Sequence, residues 1–143
     1  MAGFQRSERI DRAPQEVFDF LTAPENAPAV VPSVRRLVAI TDGPVGVGTR
    51  YRETRLMRGK EEDAELEVVA YAPGEAYAVL NVSTGIETVY RYAFRPEGDG
   101  TRVDLACEVT ARGARKLLVP LVVAELKKED GDHLVRLRQA IGA

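Results

Sequence analysis

The stretch that decides how this chain reads is GPVGVGTRYRE, residues 43–53, where three glycines within six residues precede a basic one. A phosphate-cradling loop of the dinucleotide or P-loop kind follows a strand and opens a helix, because the helix N-terminus supplies the amides that hold the anion. Here TRYRETRLM runs on from the glycines with Thr and Tyr favouring extension, so a strand is expected instead of a helix. No Lys-Ser/Thr pair follows, and Tyr51 stands where the third glycine of G-x-G-x-x-G belongs. The glycines therefore read as a tight, close-packed turn into a strand, and nucleotide binding is set aside.

Working outward, 143 residues suit one domain, 1–143, with a single core. With 45% apolar and 29% charged residues the chain has too much hydrophobic content to stay disordered. A net charge of -2 gives no broad attraction to nucleic acid or to an anionic membrane surface. Cys107 is the only cysteine, which excludes an internal disulfide and a cysteine-cluster metal site and fits a reducing, cytoplasmic setting. The N-terminal MAGFQRSERIDR lacks the apolar core of a secretory signal, and the longest apolar run, Leu117 to Ala124, is too short for a membrane span.

Phe4 to Ile10 alternates as a first strand, and APQEVFDFL then places Val17, Phe18 and Leu21 at helical spacing behind Pro14. Pro24, Pro28 and Pro32 leave room for one more helical turn before a strand over Val34 to Ile40. From Thr49 to Arg112, turn signals at Arg58 to Glu61, Pro73-Gly74, Thr84-Gly85 and Gly98 to Gly100 cut the chain into five consecutive antiparallel strands. Ala114 to Ile141 is helical in composition, with a bend expected at Pro120 and a weak point at Gly131.

In this order, A-P-x-E-V-F-D-F-L at Ala13 to Leu21, G-x-G-T-R at Gly46 to Arg50, Y-x-F-x-P at Tyr92 to Pro96, and G-D-G-T-R-V at Gly98 to Val103 resemble the START-related, polyketide-cyclase-like (SRPBCC) superfamily. The resemblance spans nearly the whole chain. It implies an α+β helix-grip fold, in which a curved seven-stranded antiparallel sheet wraps a long C-terminal helix, two short helices join the first two strands, and an apolar cavity lies inside. Superfamily members bind lipids, steroids, polyketides or other hydrophobic molecules, and a minority are cyclases or aromatases, so the resemblance implies a container and not a reaction. No cofactor is expected, and one histidine with scattered carboxylates lacks the ligand spacing of a metal site.

The turns give the lining independently. Two-residue loops at Pro73-Gly74 and Thr84-Gly85 set a register that gathers Ala64, Leu66, Val68 and Ala70 with Tyr77, Val79, Asn81 and Ser83, then Ile86, Thr88, Tyr90, Tyr92 and Phe94, on one face. The turn at Gly98 to Gly100 adds Val103, Leu105, Cys107 and Val109. Charged Glu65, Glu67, Glu87, Arg91, Arg95, Asp104 and Glu108 fall on the other face, which belongs in water. With Gly59-Lys60 as the turn centre, Arg52 is expected opposite Glu67 and Thr54 opposite Glu65, while Tyr51, Glu53 and Arg55 point inward opposite Val68, Leu66 and Ala64.

The candidate ligand contacts are thus Tyr51, Glu53, Arg55, Val68, Tyr77, Val79, Asn81, Thr88, Tyr90, Tyr92 and Leu105, with Leu121 from the C-terminal helix. Glu53 and Arg55 either orient the polar end of a hydrophobic ligand or pair with each other at a strand end near the rim. The tyrosines are either ligand contacts or plain core. His133, the only histidine, lies at helical spacing from Leu126 and Leu137 on the edge of the buried stripe, with no nucleophile or carboxylate assignable to it, and Cys107 is expected inward and unreactive. Leu117 to Val123 is apolar on all sides, which suits a cavity mouth, a dimer contact, or burial under the sheet.

Three functions follow from this reading. The first is binding or transport of a hydrophobic small molecule, by a monomer or homodimer without nucleic-acid or membrane-spanning partners. The second is a cyclase or aromatase using the same cavity, for which the sequence offers Glu53, Arg55 and the tyrosines but no inward histidine or paired carboxylates. The third is an interaction module working through its outer face or the Val119 region, with little cavity at all.

Overall fold

The computed structural model describes residues 2–142. Strand β1 (Gly3–Ile10) leads into helix α1 (Pro14–Thr22), which Pro14 opens without any side-chain cap. A 3-10 turn (Pro24–Asn26) and the short helix α2 (Ala27–Val30) carry the chain to β2 (Val34–Ala39). The meander follows as β3 (Arg50–Met57), β4 (Lys60–Ala72), β5 (Ala76–Ser83), β6 (Ile86–Glu97) and β7 (Gly100–Ala111). All strands pair antiparallel in one sheet of order β1-β7-β6-β5-β4-β3-β2. Because β1 and β2 lie at opposite edges, the chain between them must cross the open side of the sheet, and it does so as α1 and α2.

The C-terminal region is the gripped helix. A 3-10 segment (Gly113–Leu118) precedes α3 (Val119–Asp130) and α4 (His133–Ile141). Pro120 sits in the first turn of α3, where its missing N–H costs nothing, so it starts the helix and does not bend it as expected. The break falls instead at Gly131 and Asp132. A Cβ on Gly131 would lie 2.3 Å from the carbonyl oxygen of Lys127, so only glycine fits this turn, and Arg6 Nε donates to the Gly131 carbonyl at 2.9 Å. The weak point therefore receives a side chain from β1.

Turn chemistry fixed the register with two corrections. Arg58-Gly59 and Thr84-Gly85 both have positive φ at each central residue, the geometry that matches strand twist in two-residue hairpins. The first turn is thus centred on Arg58-Gly59 and not Gly59-Lys60, so Arg50 lies opposite Glu67, Arg52 opposite Glu65, and Thr54 opposite Asp63. A shift of two preserves the faces, and Tyr51, Glu53 and Arg55 lie opposite Leu66, Ala64 and Glu62. The β4–β5 connection spends three residues, with Ala72 paired to Ala76, and a bulge between Val68 and Ala70 absorbs the extra one. Ala70 therefore joins the outer row opposite Ala78, contrary to expectation, and Tyr71 takes an inward place opposite Tyr77.

The main core gathers Ile10, Val17, Phe18, Val34, Val68, Tyr77, Tyr92, Phe94, Val103 and Leu105 beneath Leu134 and Leu137 of α4. Phe18 stands edge-on to Tyr71, Tyr77 and Phe94 at 5.3, 6.1 and 5.5 Å, which pins α1 across the sheet. A second cluster, Phe4, Ile86, Cys107 and Val109, packs against Val119, Val122, Val123 and Leu126 of α3. Leu117, Leu118 and Leu121 stay 82%, 47% and 69% exposed, so the apolar surplus of the segment is not buried under the sheet. The outer face carries Arg91–Glu108 and Arg50–Glu65 ion pairs at 2.6 Å each.

The glycine run behaves as a turn: Gly46 N donates to Thr49 Oγ1 at 3.0 Å and Gly48 N to the Val68 carbonyl at 2.9 Å, docking the loop on β4. It is not close-packed, because a Cβ at Gly46 or Gly48 would meet nothing within 4 Å. What Gly48 supplies is its φ of 96°.

Candidate functional site

The main core does not fill the space between sheet and helix. A cavity of about 490 Å³ remains, bounded by β3, β4, β5 and β6, by the end of α1, α2 and β2, and by α3 with His133. That volume is ample for a small-molecule ligand. Its apolar wall includes Leu21, Val30, Val31, Val34, Leu37, Leu66, Val79 and Leu126, with the rings of Tyr77, Tyr90 and Tyr92. The wall residues Glu62, Val82 and Ser83 are exposed and mark the opening, with Glu125 and Glu129 of α3 half-buried in the same wall.

Polar groups concentrate where β3 and β6 face the end of α3. Asp130, whose side chain is fully buried, accepts from Arg55 Nη1 at 3.3 Å and from the Tyr90 hydroxyl. Arg55 Nε donates to Glu53 Oε1 at 2.7 Å. Beside this chain the Tyr92 hydroxyl and His133 Nε2 share a hydrogen bond of 3.0 Å, and His133 Nδ1 is buried without a partner among the described residues. Leaving this ring nitrogen desolvated and unpaired carries a cost that the Tyr92 hydrogen bond at the other nitrogen does not offset.

Burial sets the protonation states. Desolvation pushes His133 down to about 4 despite the opposing pull of Asp130, so its imidazole is neutral near pH 7. Desolvation first, and Asp130 second, raise both Tyr90 and Tyr92 above the ordinary phenol range, which keeps both hydroxyls protonated. Burial works against the Arg55 charge, but the adjacent Glu53 and Asp130 carboxylates outweigh it and its pKa is raised. Cys107 is pushed up to about 11, chiefly by burial, leaving a protonated thiol in the second cluster.

Of the residues singled out from sequence, Glu53, Arg55, Tyr77, Val79, Asn81, Thr88, Tyr90 and Tyr92 lie together in the cavity wall. Tyr51, Val68 and Leu105 point inward but are packed solid, at 1%, 0% and 1% exposure, outside the wall. The short helices cover them, which a sheet register alone does not reveal. Leu121 lies on the outer side of α3, exposed and outside the wall. The helix-side groups Leu126, Glu129, Asp130 and His133 were missed, and the expectation of no inward histidine is overturned. A signal existed: Leu126, Asp130, His133 and Leu137 recur at spacings of four and three, so the apolar stripe of the helix runs straight through an aspartate and a histidine.

The neighbours of this chain share its shape. A profile of the family described as polyketide cyclase / dehydrase and lipid transport matches residues 1–141. Among solved structures, Ara h 8.0201 superposes with a TM-score of 0.77 at 13% identity, covering 98% of this chain and 97% of that one. TTHA0849 from Thermus thermophilus gives 0.74 at 20% identity, covering 96% and 94%. The di-domain ARO/CYC BexL of the BE-7585A biosynthetic pathway gives 0.81 at 14% identity over 99% of this chain and 47% of its own. Among curated proteins, none matches the sequence. With identities this low the structural likeness speaks for the fold, while the profile spanning nearly every residue speaks for kinship: the chain belongs to the polyketide cyclase / dehydrase and lipid transport family, with its helix-grip fold.

Proposed function

We propose that the protein binds a hydrophobic small molecule, of lipid or polyketide character, in the cavity between sheet and C-terminal helix. The observation that carries this reading is a cavity of about 490 Å³ with aliphatic and aromatic walls and a buried polar cluster at the end of α3. Such a lining sequesters the apolar body of a ligand and leaves the Asp130, Tyr90 and His133 region to orient its polar end. Glu53, Arg55, Asn81 and Thr88 are then contacts along that polar side. Native mass spectrometry of the purified protein tests it: a co-purified mass released on denaturation is expected. Apo protein that also takes up no neutral hydrophobic probe would defeat the proposal.

A second reading, a cyclase or dehydratase, is favoured by one specific observation. A neutral histidine bonded to Tyr92 sits beside a carboxylate bonded to Tyr90, all inside the cavity. A neutral imidazole is able to take a proton from the carbon between two keto groups, while a protonated phenol donates to the developing enolate oxygen. Turnover of a poly-β-keto thioester mimic, lost in His133→Gln and retained in Leu121→Ala outside the wall, is the expected result for an enzyme. Binding of the mimic without turnover would leave the carrier reading alone.

A further inference from the structure

The charge of the cavity is lopsided. Setting aside Asp63 and Glu65, whose carboxylates are engaged by Thr54 and Arg50, the charged groups of its wall are Glu53, Glu62, Glu125, Glu129 and Asp130 against a single cation, Arg55. Arg55 is moreover already engaged, bonded to Glu53 at 2.7 Å and to Asp130 at 3.3 Å. Among the described residues Glu62, Glu125 and Glu129 form no ion pair. The nearby basic residues Arg58, Lys60, Lys127 and Lys128 lie outside the wall. A fatty-acid carboxylate entering here would cross a rim of glutamates and find its only guanidinium occupied by two carboxylates.

Resting on the reading of the cavity as a small-molecule site, we propose that its preferred occupant is an amphipathic cation, an ammonium group on an aromatic or alicyclic body. The rim glutamates attract it before contact, since a mouth lined by one sign of charge concentrates the opposite sign. Inside, the rings of Tyr77, Tyr90 and Tyr92 in the wall provide aromatic surface for the flat body and for the cationic end, which the negative pole of an aromatic quadrupole attracts. The excess carboxylate of the Glu53, Arg55 and Asp130 triad supplies the counter-charge that a buried ammonium requires. His133, neutral and bonded to Tyr92, adds a further polar residue on the same wall.

Calorimetric titration with three naphthalenes of matched attachment tests this near neutral pH: naphthylethylamine, naphthylethanol and naphthylacetate. The amine is expected to bind about tenfold tighter than the alcohol and the acetate more weakly than either, a gap that narrows with added salt. In Glu125→Gln/Glu129→Gln the amine's advantage falls to about threefold or less, while the alcohol's affinity stays within about twofold, which reports an intact cavity. Alcohol bound as tightly as amine would overturn the charge preference and leave the cavity reading standing. If none of the three binds, the cavity reading itself fails and the preference with it.

Discussion

At the scale of single residues, the polar cluster couples function to stability. His133 is buried and neutral with a pKa of about 4, whereas an unfolded chain returns it to about 6.5. The unfolded state therefore binds the extra proton first as pH falls, so the contribution of neutral His133 is intact above about 6.5 and is lost between there and about 4. A shift of this size corresponds to a loss on the order of 3 kcal/mol. Denaturant unfolding of the wild type and His133→Gln across that window is expected to show a steeper decline for the wild type; parallel curves would mean the ring is accessible to protons. Arg55 makes a different demand, because it alone neutralises the paired Glu53 and Asp130. Arg55→Ala is expected to cost roughly 3 kcal/mol by leaving two carboxylates together in a desolvated wall, and Arg55→Lys less, measured from denaturation midpoints at constant slope. This differs from a rim pair of exposed side chains, for which the loss would be within about 1 kcal/mol.

At the scale of elements, what sequence revealed depended on whether local rules or packing fixed the geometry. Thr84-Gly85 and the Gly98 turn dictated the pairing of β5, β6 and β7 because two-residue loops leave no freedom of register. The Pro73-Gly74 turn did not, since a third loop residue compensated by a bulge leaves the same signature in sequence yet exchanges Ala70 for Tyr71 on the inner face. The glycine run at residues 43–48, ahead of β3, shows both sides of this. Its glycines were legible as a turn, but the reason for them was not: Gly48 needs a left-handed φ in open space, and Gly46 needs neither. Gly48→Ala is accordingly expected to destabilise by about 1 kcal/mol, while Gly46→Ala is neutral or slightly stabilising through the unfolded state. Equal losses at both positions in thermal unfolding would show that close packing governs the loop after all.

At the scale of the molecule, the sheet half of the container could be derived and the helix half could not. Strand alternation assigns faces by parity alone, which is why Tyr77, Val79, Tyr90 and Tyr92 were placed correctly on the inner face. A helix gripped by a sheet presents a face set by its rotation and by the kink at Gly131; the spacing put His133 only at the edge of the buried stripe, and Asp130 was not singled out at all. The covering of Tyr51, Val68 and Leu105 is likewise a tertiary outcome, settled only once the helices have docked. What the assembled halves produce is a cavity whose walls are held by the surrounding cluster around Phe18, Leu134 and Leu137. That separation of wall from support gives the container reading its sharpest consequence. Val79 lines the void from a central strand without belonging to the solid part of the core, so Val79→Trp is expected to project an indole into open space and displace no backbone. Affinity for a neutral hydrophobic probe such as naphthylethanol should fall at least about tenfold, while thermal stability holds or rises as apolar surface finds new contacts. Leu137→Ala should do the opposite, costing about 2 to 5 kcal/mol by opening the supporting cluster. Should Val79→Trp bind the probe as well as the wild type does, the probe sits somewhere other than this cavity, and the polar cluster of Asp130 and His133 has no ligand to orient.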